Sequence, residues 1–339
     1  MTRRSLATSS LLEAKQKKPG KSILDTPRPQ RPPNRLWPWL IILLVTGVIL
    51  LSVVSVVTWN WLHGLPITLD TSPAHTQTTT FKVNRTVSYA DLSLNVVNAQ
   101  YSTSFSDDLI HSGPAFVRLN MQATNKMNFP ISLVYYDIAR LLIPKQQPIA
   151  PTNVQLASSV KPGATVKGWI DFPVATGTQL GNLKLQLGST VLDETLVVVP
   201  FTGAFHPEQY LNHLYPQSLT IYYTFKGYTL VYHLTSVDVR YSYDGVQVHA
   251  GQQFYVLNMS VDNTNGADVS PGYGFDYIRL IVNGADRPPT ANTLPYTFKA
   301  GAKSVGGRVV YVAPVGIRTI SIGFLYQLSA GQSTYSTDL

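Results

Sequence analysis

Histidines, carboxylates and tyrosines are the side chains of this sequence with most capacity for chemistry, and their spacing limits what that chemistry could be. The seven histidines are His63, His75, His111, His206, His213, His233 and His249, and no two stand three or four residues apart as paired metal ligands on a helix would. His206 and His213 flank a connection between two patterned regions and read as surface or packing residues. The stretch DNTNGAD (262–268) places Asp262 and Asp268 around asparagines. A calcium loop needs several carboxylates at alternating positions and a closing bidentate acid, so this stretch reads instead as a hairpin turn on Asn-Gly, a dipeptide that readily takes positive φ. Two Asp-x-x-Arg pairs recur, Asp137 with Arg140 and Asp276 with Arg279. Their presence in both copies reads as scaffold, and on a strand the two members would face opposite sides, which argues against their pairing directly. No nucleophile elbow, phosphate loop, zinc-protease helix or dinucleotide glycine pattern occurs. With no nucleophile–base or paired-acid constellation, a hydrolase or transferase is disfavoured and the chain reads as non-enzymatic. No metal and no cofactor is expected. The absence of cysteine also removes disulfides, thiolate metal sites and lipidated cysteine anchors.

What remains is an aromatic cluster. Only Tyr89, Tyr101, Tyr135 and Tyr136 precede residue 200, and the other 15 of the 19 tyrosines follow. The stretch SPGYGFDY (270–277) sets Tyr273, Phe275, Asp276 and Tyr277 in or beside a glycine-containing, flexible loop. Rigid apolar faces with a polar edge suit recognition of a protein or a glycan, so these four residues form the candidate ligand contact.

The elements that must position this cluster begin with a membrane anchor. Residues 36–62 read LWPWLIILLVTGVILLSVVSVVTWNWL, and no Asp, Glu, Lys or Arg occurs between Leu36 and Asp70. A helix from Trp39 to Trp59 would rise about 30 Å, the thickness of a bilayer's hydrocarbon core. Trp37, Trp39, Trp59 and Trp61 bracket it at the depth of the headgroups. A cleaved signal peptide would be shorter and end in small residues. Nine of the 26 basic residues lie before position 36, among them Lys15, Lys17, Lys18, Lys21, Arg28, Arg31 and Arg35, against only Glu13 and Asp25. The N-terminal 35 residues therefore carry +7 of the net +8. That asymmetry sets the N-terminus in the cytoplasm and the rest outside, and it leaves no basic block for nucleic acid. Residues 1–35, proline-rich and poor in apolar side chains, are expected to be a disordered tail, and 63–80 a polar stalk.

Beyond the anchor the sequence repeats itself. FVRLNMQATN (116–125) and FYVLNMSVDN (254–263) share one alternation of apolar and polar residues, that of a half-buried strand. Leu92, Leu94, Val97, Ala99 and Tyr101 align with Tyr232, Leu234, Val237, Val239 and Tyr241, and the apolar parity switches within each stretch, which predicts a β-bulge in both. DIARLLI (137–143) matches DYIRLIV (276–282), KPGA (161–164) matches KAGA (299–302), and Leu183, Leu185 and Leu187 match Ile320, Ile322 and Phe324. Gly, Pro, Asn and Asp clusters separate these blocks. The pattern predicts two tandem all-β sandwiches, at 81–200 and 218–330, joined by a packed linker at 201–217 and followed by a C-terminal tail at 331–339.

VVNAQYS (96–102), LNMQATN (119–125) and KPGATVKGWIDF (161–172), with SVDVRYS (236–242), LNMSVDN (257–263) and KAGAKSVGGRVVY (299–311), resemble the bacterial immunoglobulin-like extracellular domains grouped as domain of unknown function 4352, similar in fold to a mycobacterial secreted immunoprotective antigen. The resemblance covers about two-thirds of the chain, and the second copy departs from it at Ala300. It implies that each copy is an immunoglobulin-like sandwich at the bacterial cell surface and brings no catalytic residues. The expected function is a single-pass protein, in contact with the lipid bilayer, that displays two domains for binding, adhesion or sensing of an extracellular protein or glycan. The alternative is a structural or accessory subunit of an envelope complex, with Gly47, Ser52 and Ser55 allowing the anchor close helix contact.

Overall fold

The computed structural model describes residues 77–107, 113–325 and 332–339. The expected anchor at 36–62 with its four tryptophans, the basic tail, stalk residues 63–76 and His111 lie outside these. Among the described residues no helix is long and apolar enough to cross a membrane.

The described chain is all-β and its sheets are antiparallel. The first repeat contributes β1 (Thr79–Tyr89), β2 (Leu92–Ser102), β3 (Ala115–Asn125), β4 (Ile131–Ser132), the one-turn helix α1 (Tyr135–Ile138), β5 (Ala139–Leu142), β6 (Asn153–Val154), β7 (Ser159–Val160), β8 (Thr165–Val174), β9 (Lys184–Leu187) and β10 (Val197–Pro200). The second contributes β11 (His213–Phe225), β12 (Tyr228–Arg240), β13 (Ser242–Tyr243), β14 (Val246–Gln247), β15 (Gln252–Asn263), α2 (Gly274–Tyr277), β16 (Ile278–Val282), β17 (Ala285–Arg287), β18 (Ala291–Asn292), β19 (Val305–Pro314), β20 (Thr319–Leu325) and β21 (Gln332–Asp338). One five-stranded sheet runs β1-β2-β3-β8-β6 and faces β10-β9-β5. Its counterpart runs β11-β12-β15-β19-β18 and faces β17-β16-β20-β21. Alternate side chains of each facing pair bury a separate core, one from Val83 to Phe201 and one from Ile221 to Phe324. Each repeat is thus sandwich-like.

The bulges lie where the parity switch placed them. Pairing of β2 with β3 skips between Val96 and Asn98, and pairing of β12 with β15 skips between Leu234 and Ser236. The register corrects the alignment of these strands. Val97 and Thr235 are the extra residues, so Ala99 corresponds to Val237 and not to Val239. β12 simply runs two residues longer between its turn and its bulge.

The recurring LNM strand ends in an asparagine whose role the pattern did not reveal. Asn125 and Asn263 are fully buried. The Asn125 Nδ2 donates to the carbonyls of Phe129 and Val160, and Oδ1 accepts from the Met127 amide. The Asn263 Nδ2 donates to Ala267, Phe298 and Lys299, and Oδ1 accepts from the Asn265 amide. Buried amides demand partners; here they tie the strand end to the segment before the KPGA-like turn. That turn closes with Ala164 N donating to Lys161 O in one copy and Ala302 N to Lys299 O in the other. Gly163 and Gly301 take φ of 68° and 70°, the left-handed position that keeps glycine there in both.

Several expected boundaries move. Residues 332–338 of the expected tail form a strand, because β21 pairs along the whole of β20. Its end is tied by Thr337 Oγ1 donating to Gln217 and by Gln217 Nε2 donating to the Asp338 carbonyl. As a largely polar edge strand, QSTYSTD carries too little apolar patterning to be read from sequence. β1 starts within the expected stalk, at Thr79, and β11 within the expected linker, at His213. The rest of that linker packs as expected, with Phe201 buried and Phe205 and Tyr210 against the first core. NTNGAD is not a hairpin turn: neither Asn265 nor Gly266 has positive φ, and the loop crosses towards the opposite sheet. Asn283–Gly284, between β16 and β17, is the Asn-Gly hairpin, with φ of 51° and 76°.

Replacing Asn263 by Asp keeps its shape but sets an anionic oxygen against three carbonyls. Chemical denaturation of Asn263→Asp is expected to show a loss of about 3–5 kcal/mol, while Asn212→Asp on the surface stays within about 0.5 kcal/mol. Equal effects at the two positions would remove this role for the buried amide.

Candidate functional site

The SPGYGFDY segment is a close-packed, hydrogen-bonded turn rather than an open loop. Pro271, Gly272 and Gly274 are buried. Gly272 has φ of 109°, and a Cβ there would meet the Asp276 carboxylate at 2.8 Å. A Cβ on Gly274 would lie 2.6 Å from Asn292 Oδ1. The chain therefore turns tightly into α2. Asp276 Oδ2 accepts the Tyr273 amide at 2.8 Å, and the Asp276 amide donates to the Tyr273 carbonyl at 2.8 Å. The Asp-x-x-Arg pairs straddle this helix and the strand after it, and do not lie on one strand as expected. Arg279 Nη1 donates to the Phe275 and Ile278 carbonyls, and Arg140 Nη1 does the same to Tyr136 and Ala139. The arginines satisfy the open carbonyls of a single helical turn, which is why the pair is duplicated.

The four candidate contacts separate. Tyr273 and Phe275 are 56% and 40% exposed. Tyr296, which the sequence did not single out, stands edge-on to Tyr273 at 5.1 Å and is 49% exposed. Asp276 is spent on the turn. Tyr277 is buried: its ring stacks on Tyr223 at 5.1 Å and its hydroxyl meets that of Tyr232 at 2.7 Å. It belongs to the core, so the contact surface is Tyr273, Phe275 and Tyr296. The first repeat exposes Val134 and Tyr136 at the matching places on α1. The excess of tyrosine in the second half is thereby divided between surface and core, since Tyr223, Tyr232, Tyr255, Tyr277 and Tyr311 are all buried.

A second arrangement was invisible in the sequence. Arg118 of β3 pairs with Asp171, its direct cross-strand neighbour on β8, at 2.8 Å, and with Asp107 at 2.7 Å. Its guanidinium lies 3.6 Å from the Trp169 ring centre and 4.0 Å from that of Phe105. Burial disfavours the charge, but the hydrogen bonds it donates to both carboxylates outweigh that and raise its pKa, and Arg118 in turn holds Asp107 below the usual carboxylate range. The second repeat replaces Arg118 and Asp171 with Val256 and Val310, which with Val248 and Phe254 form a small apolar cluster under the β13–β14 hairpin. The first halves of β3 and β15 are consequently buried on both faces, not half-buried as their alternation suggested.

That same hairpin joins the two sandwiches. The β1–β2 turn, Ala90–Asp91, has positive φ at both residues. Asp91 Oδ1 accepts from the Ser242 hydroxyl at 2.9 Å and Oδ2 from the Gly245 amide at 2.9 Å, while the Ala90 amide donates to Gln247 Oε1 at 3.1 Å. Beside it, the Thr195 amide donates to the Val248 carbonyl at 2.8 Å and the Ala250 amide to the Asp193 carbonyl at 2.7 Å. Glu194 Oε2 accepts from Tyr89 and from the Ser189 amide, which fixes that loop.

The other candidate groups are already engaged. Asp262 accepts from the Ser304 amide and meets His233, and Asp268 takes Lys299 and the Ala300 amide. His206 is exposed and meets only Glu208, and His213 is exposed on β11. Among the described residues no group of three or more His, Asp or Glu side chains could hold a metal ion.

No family model and no curated protein matches the chain. A functionally unknown protein from Listeria monocytogenes EGD-e aligns with a TM-score of 0.29 at 13% identity, over 38% of this chain and 89% of that one. A conserved hypothetical protein from Bacillus anthracis aligns with a TM-score of 0.27 at 12% identity, over 37% of this chain and 94% of that one.

Burial pushes the Tyr232, Tyr277 and Tyr311 hydroxyls well above the usual tyrosine range. In the unfolded chain they would ionise near pH ~10. Their folded values are higher, so stability is held below that pH and falls as pH rises past it. The thermal midpoint should decline through this alkaline window, and less steeply in Tyr277→Phe. A midpoint flat beyond the unfolded tyrosine value would contradict the burial of these hydroxyls.

Proposed function

We propose that residues 36–62 anchor this chain in a bilayer with residues 1–35 in the cytoplasm, and that the two sandwiches are immunoglobulin-like modules presented outside the cell to recognise a partner. The observation that carries the reading is the exposed aromatic surface of Tyr273, Phe275 and Tyr296, held on a turn whose glycines and Asp276 leave it little freedom. Large rigid aromatics lose little entropy on binding and supply much of the energy at contact centres. The hydrogen-bonded joint supports the same reading, because it fixes where that surface points relative to the first sandwich. The likeness of the repeats to bacterial immunoglobulin-like extracellular domains agrees with such a placement.

Two measurements test it. Protease added to intact cells should remove residues after 76 and spare the basic N-terminus; the reverse pattern would end the topology. In a crosslinking pull-down from the cell surface, Tyr273→Ala with Phe275→Ala should lose most captured protein while its melting temperature changes little, since both side chains are surface-exposed. Undiminished capture would remove this surface from the proposal.

A further inference from the structure

The outer face of the first sandwich carries a groove of about 340 Å³ beside Trp169. Its walls include Asn120 and Gln122 from β3, Lys167 and Gly168 from β8, and the bulged residue Val97. Cross-strand register orders this face in rows: Arg118 opposite Asp171, Asn120 opposite Trp169, and Gln122 opposite Lys167. The indole therefore has the Arg118 guanidinium, with Phe105 behind it, on one side and the groove on the other. The clamp of Asp107, Arg118 and Asp171 keeps the ring upright. Asn120 donates to Asn98 Oδ1 at 2.7 Å, leaving its own carbonyl oxygen open. Gln122 and Lys167 make no side-chain hydrogen bond among the described residues.

We propose that this groove binds a neutral oligosaccharide. A pyranose ring offers a face of C–H groups to an indole and a rim of hydroxyls that both donate and accept. Amides do the same in return, and the groove supplies two of them beside the only indole of the described residues. A nucleic acid would require several cations to meet its phosphates, and only Lys167 is present. A lipid chain laid there would cover two amides and an ammonium without giving them hydrogen-bond partners. The volume falls within the range of small-ligand sites. The second repeat serves as an internal comparison. Strand register sets Ser260, Gly306 and Arg308 where Gln122, Lys167 and Trp169 stand, so the long amide and the indole are missing there. The site belongs to the first sandwich alone and is separate from the Tyr273 surface.

Titration calorimetry on the full-length protein in lipid nanodiscs, with chitotetraose and cellotetraose as probes, tests this. At least one probe should bind saturably. Trp169→Ala should weaken it by at least about tenfold, the scale of a lost stacking contact. Gln122→Ala, which leaves the Arg118 clamp intact and so guards against simple unfolding, should weaken it about three- to tenfold, as one hydrogen bond would. Ser260→Ala in the second repeat should leave binding unchanged. Absence of saturable heat with both probes, or binding that survives both Trp169→Ala and Gln122→Ala, would overturn the proposal. Membrane topology does not enter this measurement, so its failure would leave exterior display standing, and an inverted topology would leave the binding untouched.

Discussion

The Asp91 carboxylate has exchanged water for donors that belong to the other sandwich, the Ser242 hydroxyl and the Gly245 amide. Hydrogen bonds to a charged acceptor contribute more than neutral ones and are strongly directional. Ala90 and Asp91 both adopt positive φ, as the two-residue hairpin turn between β1 and β2 requires, and the matching turn Lys226–Gly227 of the second repeat does the same. The backbone contacts of Asp193 and Thr195 with Val248 and Ala250 form a second grip on a different loop. Two grips on separate loops oppose both swing and twist.

Duplication explains how such a joint can arise. Both repeats need something over the outer face of the sheet at the third strand. The first uses a charged solution, Arg118 between Asp171 and Asp107 under Phe105. The second uses an apolar one, Val256 and Val310 under the β13–β14 hairpin. Once the hairpin covers its own sheet, its other side is free to meet the neighbouring repeat, and Ser242, Gly245 and Gln247 occupy that side. A single element covers its own sheet and holds the partner sandwich. The charged version leaves Trp169 beside an open groove, whereas the second repeat has Arg308 at the matching position.

Much of this organisation was legible in the sequence because apolar alternation has an unforgiving period. The paired LNM strands, the bulges and the KPGA-like turns each impose a pattern that only one local structure satisfies. What escaped has a common physical character. β21 escaped because an edge strand with one covered face needs few apolar residues. The buried asparagines escaped because an amide satisfied by carbonyls looks identical in sequence to one facing water. Tyr277 was misplaced because tyrosine serves core and surface alike, and only the neighbouring rings decide which. Arg118 and its partners are 11 and 53 residues apart, and no periodicity connects them. The joint is equally long-range, since Asp91 and Ser242 are separated by 151 positions. Patterns report on the face a residue turns to its own sheet, not on what lies across a loop.

Rigidity of the joint is the property from which presentation of the aromatic surface follows, and it can be measured without ambiguity because the chain has no cysteine. Spin labels placed through Lys161→Cys in the first sandwich and Lys303→Cys in the second, both exposed turn positions, report the separation of the two by pulsed dipolar spectroscopy. A single distance population no broader than the label linkers themselves is expected for the full-length protein in nanodiscs. A broad or multiple distribution would mean that the two sandwiches swing independently and that the joint does not hold them.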